Sequence, residues 1–298
     1  MKGRYDSNEI EDQRLWQLIN KKNLNKTKSF GFLGFKCDEG VKRNLGRLGT
    51  FEGPNAIRTA MASMPIHSLD LEIKDYGDVE VVSTNLEECQ NVYSGVVTRI
   101  INDGIIPIGL GGGHSIAYGT YTGIKNSDKY KNKKIGIINF DAHLDMRPYD
   151  QYPTSGTSFK QIGDCEEDYR YMIIGYQKIG NTIRLLNTCK ELGGEIISAE
   201  DVEFNSMKEI NNKIIKFINS VDYIYVTLCM DVFDIADAMG VSAPSAVGLN
   251  KAKGIKLFEN ILDTGKVVAV DFAEVNPELD IDNRTGRLVA YIINKIID

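Results

Sequence analysis

Three ionisable side chains occupy alternate positions directly after an apolar run of the sequence. Asp141, His143 and Asp145 follow Ile135–Phe140. In extended backbone, residues two apart project to the same face, so these three side chains would lie side by side. Two carboxylates and an imidazole at the end of a buried strand are costly to desolvate unless a cation neutralises them. Because apolar residues separate them, the pattern favours a metal site over a solvated acidic loop.

Four further side chains with suitable chemistry lie at the ends of three other apolar runs: His114 after Ile105–Leu110 and a glycine turn, Cys229 and Asp231 after Tyr223–Leu228, and Glu274 after Val267–Phe272. The glycine turn lacks the Lys-Ser/Thr of a phosphate-binding loop, so a tight turn with an incidental histidine is the alternative for His114. Taken singly, Asp231 and Glu274 could be ordinary loop acids. Two of the three histidines of the chain nevertheless lie at these ends, whereas His67 belongs to no motif. Histidines combined with carboxylates suit Mn²⁺, Zn²⁺ or Fe²⁺, with ligands enough for two ions.

The apolar runs alternate with amphipathic stretches, which predicts an α/β fold with a mainly parallel sheet and helices on both faces. The predicted strands are Phe30–Phe35, Ile105–Leu110, Ile135–Phe140, Tyr171–Gly175, Glu195–Ser198, Tyr223–Leu228 and Val267–Phe272. The predicted helices are Asn55–Met64, Leu86–Ile101, Thr182–Leu192, Met207–Ile218, Lys251–Leu262 and Thr285–Ile297. A capping box at Thr84–Glu87 is expected to start the second of these helices. Ligands of such sheets bind beyond the carboxyl ends of the strands, where the candidate residues lie.

Composition excludes several classes of protein. The 298 residues carry 35 basic and 41 acidic side chains, a net charge of −6, which provides no basic footprint for nucleic acid or an anionic membrane. No apolar run approaches the ~18 residues of a membrane span, and Met1–Glu11 lacks the apolar core of a secretory signal. The five scattered cysteines indicate a reducing compartment. We expect a cytoplasmic protein with a single domain over residues 1–298, in which residues 1–28 remain unassigned.

From about Gly31 to the C-terminus, the order and spacing of these motifs resembles the arginase-like ureohydrolase family. The segments that carry the resemblance are Gly111–His114, Asn139–Asp145, Cys229–Asp231 and Glu274–Pro277. The resemblance implies a three-layer α/β/α sandwich with an eight-stranded, mainly parallel sheet, and a homo-oligomer. It also implies a pair of Mn²⁺ ions that activate a bridging hydroxide for attack on a guanidinium or amidine carbon. By the same resemblance the metal ligands are His114, Asp141, His143, Asp145, Cys229 and Asp231. Asp145 would also contact the hydroxide, and Glu274 would hold the amidine-type nitrogen of the substrate.

Less widely shared segments bear on the substrate. Phe159 stands where arginases have a histidine that is thought to shuttle protons. Together with the loop Asp38–Arg47 and the segments Gly240–Pro244 and Asp280–Gly286, it resembles members of the family that hydrolyse N-formimidoyl-L-glutamate to L-glutamate and formamide in histidine degradation. A dicarboxylate needs fixed cations, and an Arg guanidinium binds carboxylate with two parallel hydrogen bonds. The candidate substrate contacts are Arg147, Asn44, Arg43, Arg47 and Arg284.

Arg147 is the preferred anchor, because it continues the alternating face of Asp145; a structural salt bridge is its alternative. Within the same family, an agmatinase or arginase activity is the alternative function. It is disfavoured by Phe159 and by Arg147, which would repel the cationic tail of agmatine.

Cys229 departs from the family pattern, which has Asp at this position of an Asp-x-Asp pair. Three interpretations compete. The thiolate could ligate a metal and bias the site toward ions softer than Mn²⁺. Cys229 could instead form a redox-sensitive disulfide with Cys37, which requires Cα atoms within ~4.4–6.8 Å. Third, the site could bind metal poorly, which would make the protein a non-catalytic homologue.

Overall fold

The computed structural model describes residues 1–80, 85–149 and 151–298. Within these ranges, eight parallel strands form one sheet in the order β2-β1-β3-β8-β7-β4-β5-β6. The strands are β1 (Lys28–Lys36), β2 (Leu71–Glu80), β3 (Ile106–Gly111), β4 (Ile135–Phe140), β5 (Tyr171–Tyr176), β6 (Glu195–Ser198), β7 (Tyr223–Cys229) and β8 (Val267–Ala273). The predicted parallel sheet and its eight strands are confirmed.

Eleven helices connect the strands of the described ranges. They are α1 (Leu15–Leu18), α2 (Glu39–Arg43), α3 (Gly53–Met61), α4 (Leu86–Asn102), α5 (Ile116–Asn126), α6 (Ser158–Cys165), α7 (Ile183–Glu191), α8 (Ala199–Phe204), α9 (Met207–Asn219), α10 (Lys251–Leu262) and α11 (Arg284–Ile297). None of them combines the length and apolar character that crossing a bilayer would require in the part of the chain that the structure describes.

The central strands are buried on both faces, which explains their continuous apolar sequences. Every residue of β4 is buried. Its side chains point alternately into two separate hydrophobic clusters. Ile135 and Ile137 belong to one cluster, whereas Ile138 and Phe140 belong to the other. Since alternate residues of a strand face opposite ways, the two clusters are the cores on the two sides of the sheet. The result is the predicted three-layer α/β/α arrangement.

The sequence missed two elements that the sheet depends on. Strand β2, Leu71–Glu80, is an edge strand whose second half is mostly exposed and charged, so it lacks the apolar run of a central strand. Helix α5 contains glycines that disfavour a helix in isolation. A Cβ at Gly123 would lie 2.6 Å from the Val97 Cβ, so tertiary packing of α5 on α4 requires glycine there.

Helix α4 starts at Leu86, as predicted. Asn85 caps this helix by accepting a hydrogen bond from the Glu88 N–H at 3.0 Å. Thr84, the first residue of the expected capping box, lies outside the described residues.

The glycine turn after β3 is fixed between two neighbouring strands. The Gly112 N–H donates to the Phe35 carbonyl at 2.8 Å, and the Gly112 carbonyl accepts from the Glu274 N–H at 2.9 Å. A Cβ at Gly111 would lie 2.3 Å from the Phe272 carbonyl oxygen, in a contact that only glycine permits. The turn therefore needs glycine in order to hold His114 against the ends of β1 and β8.

We predict opposite effects for two Gly→Ala substitutions. Gly111→Ala forces backbone apart in a packed core and should destabilise the protein by about 1–3 kcal/mol or more. Gly95→Ala, at an exposed position of α4 with open space around the new Cβ, should stabilise it by about 0.5–1 kcal/mol. Urea unfolding of both variants measures the difference, and two changes of the same sign would contradict the account of the turn.

Candidate metal centre

The candidate residues converge at the carboxyl ends of four neighbouring strands. Strands β3, β8, β7 and β4 are adjacent at the middle of the sheet. The segments that leave them carry, in that order, His114, Glu274, the Cys229–Asp231 pair and the Asp141–Asp145 triad. Side chains that are up to 160 positions apart in the sequence thus reach one place. The structure brings together every metal ligand that the resemblance implied.

Two histidines each lie between carboxylates. The His114 Nδ1 is 2.9 Å from the Oδ2 of Asp141 and 2.9 Å from the Oδ2 of Asp145. The His143 Nδ1 is 3.2 Å from the Oδ2 of Asp231 and 3.6 Å from the Oδ1 of Asp141. Asp141 therefore contacts both histidines, one through each carboxylate oxygen.

The donor atoms form two overlapping groups within the described part of the chain. His114, Asp141 and Cys229 offer ligand atoms that lie within 4.8 Å of one another, and so do Asp141, His143 and Asp231. Asp145 adjoins the first group through its contact with His114. Because Asp141 belongs to both groups, the arrangement has the form of a site for two ions that share one carboxylate.

The environment of the donors fits bound cations. The His114 Nδ1 lies near two carboxylates without the directional geometry of a hydrogen bond, and the Asp231 Oδ1 is buried without a hydrogen-bond partner. The His114 Nε2 is occupied at 3.0 Å by the Thr227 Oγ1, which leaves Nδ1 as the atom that faces the acids. Imidazole, carboxylate and thiol donors in this arrangement suit first-row divalent metals.

The close contacts shift the pKa of every member. Burial lowers the pKa of His143, but the carboxylates of Asp231 and Asp141 outweigh burial and raise it to about 12. Burial also lowers the pKa of His114, whereas Asp141 and Asp145 hold it well above its usual value. For Asp145 and Asp231, burial raises the pKa, and the charge of Asp141 adds to that. Protons on the histidines thus compensate the acids when no other cation is bound, and a bound metal ion displaces them.

Two residues of the site adopt left-handed backbone conformations that are unfavourable for residues with a Cβ. Asp145 has a φ of 47° and Glu274 a φ of 68°. Their neighbours hold them, since the Asp145 carbonyl accepts from the Phe159 N–H at 3.2 Å and the Glu274 N–H donates to the turn after β3. Strain of this kind is typical of functional sites, where it fixes the direction of a side chain.

Glu274 lies beside the metal ligands and is held at both oxygens. Its Oε1 accepts from the His114 N–H at 3.0 Å, and its Oε2 accepts from the Ser242 hydroxyl at 2.6 Å. Burial raises the pKa of Glu274 to about 7. The carboxylate opens onto a cavity of about 300 Å³ that five of the metal-ligand candidates also line: His114, His143, Asp145, Cys229 and Asp231. This volume lies at the lower end of the range for small-molecule sites.

Of the five candidate substrate contacts, three line this cavity: Arg147, Arg47 and Asn44. Arg147 is exposed at its rim. The Arg47 guanidinium donates to the Ser242 and Val241 carbonyls at 2.9 and 2.8 Å, so it also fixes the loop that carries Ser242.

The structure does not place Arg43 and Arg284 at this cavity. Arg43 forms ion pairs with Glu39 and Glu87 at 3.2 and 2.8 Å and lines a separate surface pocket. Arg284 begins α11 and lines a groove between α10 and α11. Their positions give no support to the expected substrate contacts, because a linear motif does not show which acid a cation will pair with.

Phe159 and the cysteines complete the surroundings of the site. The Phe159 ring packs edge-on against the His114 imidazole, with ring centroids 5.4 Å apart. Phe159 occupies the position at which arginases have a histidine. None of the five cysteines forms a disulfide bond. The Cys89 thiol hydrogen-bonds with Cys37, which lowers the pKa of the Cys37 thiol. The Cys37–Cys229 redox pair stays a prediction.

Two functional side chains escaped the sequence analysis. Ser242 holds Glu274, and Thr227 holds His114. Thr227 had a detectable signal, since it is a hydroxyl residue two positions before Cys229 in an otherwise apolar strand. Ser242 lies in the segment Gly240–Pro244 that the resemblance includes, but its contact with Glu274, 32 positions away, was not predicted.

The shared carboxylate predicts unequal losses of metal. Asp141→Asn removes a donor common to both groups, so both Mn²⁺ ions should be lost from each chain. Asp231→Asn affects one group, so one ion should remain bound. Metal content after equilibration with Mn²⁺, with far-ultraviolet circular dichroism as the control for folding, distinguishes them. Two retained ions in Asp141→Asn would contradict the shared-ligand geometry.

Comparisons with known proteins concern the family and the fold of the chain. A model of the arginase family matches residues 28–297. A formimidoylglutamase of Clostridium tetani is 40% identical over 99% of this chain and 93% of its own length. One from Legionella pneumophila is 41% identical over 92% of this chain and 86% of its own length.

Solved structures share the fold. Trypanosoma cruzi formiminoglutamase with Mn²⁺ superposes with a TM-score of 0.84 at 24% identity, covering 96% of this chain and 97% of that one. Formimidoylglutamase from Bacillus subtilis gives 0.87 at 21% identity, with coverages of 99% and 93%. At these identities the likeness concerns the fold alone.

Proposed function

The chain belongs to the arginase family, and on that premise we propose that it hydrolyses N-formimidoyl-L-glutamate to L-glutamate and formamide with two bound Mn²⁺ ions. One water is consumed, the bond between the formimidoyl carbon and the glutamate nitrogen breaks, and the freed amine takes up a proton. The observation that carries the proposal is that one cavity is lined both by metal-ligand candidates and by the Arg147 side chain. The identity of about 40% to formimidoylglutamases supports the same substrate.

The two groups of donors support an assignment of ligands to each ion. We assign His114, Asp141, Asp145 and Cys229 to one ion and Asp141, His143 and Asp231 to the other. We add Cys229 to the second ion because the resemblance gives a bridging ligand at this position, whereas the structure groups its sulfur with His114 and Asp141. When bound, such a pair of ions activates a water molecule for attack on the formimidoyl carbon and polarises that carbon.

The side chains of the cavity orient the reacting groups. Glu274 lies beside the ligand set with both oxygens held, so its carboxylate accepts a hydrogen bond from the formimidoyl nitrogen. Asp145 lines the cavity and accepts a hydrogen bond from the attacking water. Because position 159 is a phenylalanine and not a histidine, the proton for the leaving amine comes from Asp145 or from cavity water.

Arg147 provides the charge that selects the substrate. Its guanidinium lies at the rim, and its backbone N–H donates to the Gly156 carbonyl at 2.8 Å, which anchors the residue to the loop before α6. A glutamate carboxylate at the rim pairs with this cation in two hydrogen bonds. The cationic tail of agmatine would meet a like charge there, and this argues against agmatinase activity.

Removal of this cation should impair substrate binding specifically. Arg147→Met should lower kcat/KM for N-formimidoyl-L-glutamate by about 10- to 150-fold, mainly through KM, because a charged hydrogen-bonded contact contributes about 1.5–3 kcal/mol. Arg284→Met is the matched control, since Arg284 lines a different groove and its loss should leave both constants unchanged.

Steady-state assays with N-formimidoyl-L-glutamate, agmatine and L-arginine decide between the functions. Turnover of agmatine or arginine alone would favour the other branch of the family. Fewer than two bound ions and no turnover under reducing conditions would indicate a non-catalytic homologue. An Arg147→Met variant with unchanged KM would contradict the role of Arg147.

Cys229 offers a thiolate where the family pattern has a carboxylate. Its side chain is buried and shares a ligand group with His114 and Asp141. Thiolate is a softer donor than carboxylate, so the site should tolerate Co²⁺ and Zn²⁺ better than an all-oxygen site does. We propose direct ligation by the sulfur in preference to a loss of function.

This ligation should be visible in a spectrum. The Co²⁺-loaded protein should show a sulfur-to-metal charge-transfer band in the near ultraviolet, and Cys229→Ser should abolish it. Cys229→Asp should also lose the band but should gain relative affinity for Mn²⁺ over Zn²⁺, because the replacement is a hard oxygen ligand. A Co²⁺-loaded wild-type protein without the band would contradict ligation by Cys229.

The remaining assignments concern the organisation and the location of the protein. We propose a single domain, which is supported by Leu15 packing in the same core cluster as Ile57 and Met61. We also propose a cytoplasmic homo-oligomer. The five cysteines, none of which forms a disulfide bond, support the reducing compartment, whereas the oligomer rests on the resemblance to the family.

A further inference from the structure

A buried carboxylate that the reaction does not use lies behind the candidate metal centre. Asp271 is at the middle of β8 and is completely buried. We propose that Asp271 and Thr227 are positioning residues, which fix the His114 ring with its Nδ1 lone pair toward the metal. This inference deepens the proposed function and rests on its metal site, but it concerns only the ion that His114 binds.

The Thr227 hydroxyl lies between Asp271 and His114. Thr227 in β7 and Asp271 in β8 are register partners of parallel strands, so their side chains lie next to each other. The Thr227 Oγ1 is 3.0 Å from the His114 Nε2. Thr227 is fully buried, as is the His114 ring, so water does not substitute for either contact.

Asp271 is surrounded by hydroxyl groups that donate to it. Its Oδ2 accepts from the Thr120 hydroxyl at 2.5 Å and from the Tyr225 hydroxyl at 2.6 Å. Burial raises the pKa of Asp271 and outweighs the hydrogen bonds from Thr120, Thr227 and Tyr225, which lower it. The hydroxyl donors stabilise the ionised form of the carboxylate, which accepts hydrogen bonds and donates none.

The direction in which Nδ1 faces sets the proton on the His114 ring. A neutral ring that ligates a metal through Nδ1 carries its proton on Nε2, and the Thr227 Oγ1 accepts that proton at 3.0 Å. The hydroxyl proton of Thr227 is then left for Asp271, its register partner in β8. The unprotonated nitrogen of the neutral ring is Nδ1, which lies 2.9 Å from the carboxylates of Asp141 and Asp145. A partner of this kind orients a ligating histidine and raises its basicity.

Packing and hydrogen bonds restrict rotation of the His114 ring. Phe159 packs edge-on against it at 5.4 Å. The Ser158 hydroxyl donates to the His114 carbonyl at 3.1 Å, and the His114 N–H donates to Glu274. With the backbone and one ring face held, the bond to Thr227 determines which nitrogen faces the metal.

Two buried threonines provide a matched pair of variants. Thr227→Val removes the hydroxyl that links Asp271 to His114. Thr120→Val removes another hydroxyl from the same carboxylate, but that hydroxyl is not bonded to His114. Dissociation constants for both Mn²⁺ ions are measured without substrate by competition with a chelator. Their outcome is thus independent of whether formimidoylglutamate is hydrolysed.

We expect Thr227→Val to weaken one of the two Mn²⁺ ions by about 10- to 100-fold and to leave the other within threefold. Thr227→Ser should restore the affinity, and Thr120→Val should leave both affinities within threefold of the wild type. Asp271→Asn, which keeps the volume and removes the charge, should weaken the same ion as Thr227→Val does.

The ring itself supplies a second readout. With only three histidines in the chain, ¹⁵N-histidine spectra of the Zn²⁺-loaded protein resolve each imidazole. The wild type should show His114 with Nε2 protonated and Nδ1 bound to metal, with a slowly exchanging Nε2 proton that Thr227→Val loses. Equal weakening of both ions by Thr227→Val and Thr120→Val would indicate a merely structural network and would overturn the proposal. Unchanged affinity in Thr227→Val, or His114 bound through Nε2, would overturn it as well.

Discussion

The rest of the structure depends on the confinement of negative charge at the carboxyl edge of four central strands. Asp141, Asp145, Asp231 and Glu274 lie together with a thiol in a region that excludes most water. Unpaired acids in such a place cost several kcal/mol each, so the arrangement persists only with cations among them. Two histidines supply the charge in the absence of other cations, and under the proposed function two divalent ions take their place. The site is therefore built around an electrostatic cost that metal binding relieves.

The sheet provides the rigidity that this arrangement needs. Its central strands are buried on both faces, so the side chains at their ends are directed by packed backbone on either side. The glycine turn brings His114 against β1 and β8, and the left-handed backbone of Asp145 and Glu274 turns their carboxylates into the cavity. Behind the ligands, hydroxyl groups and Asp271 extend the polar network into the core. Stability and chemistry thus rely on the same contacts.

The convergence of the candidate metal ligands could be predicted because their signal is local. A spacing of two after an apolar run survives in the sequence, and parallel strands bring such ends together whatever the loops between them do. The positions of the Arg43 and Arg284 side chains could not be predicted. Arg43 pairs with Glu87, and Arg284 lines a groove beside helix α10, and both neighbours are distant in sequence. Strand β2 was missed because its exposed edge carries charges, and α5 because its glycines serve packing on α4. The linear pattern thus reports burial and alternation well, and reports side-chain partners poorly.

The most direct test of the central claim is anomalous diffraction at the manganese absorption edge from crystals grown with Mn²⁺ under reducing conditions. The account predicts two peaks in each chain: one among His114, Asp141, Asp145 and Cys229, and the other among Asp141, His143, Asp231 and the same cysteine. A single peak, or none at this edge of the sheet, would contradict it.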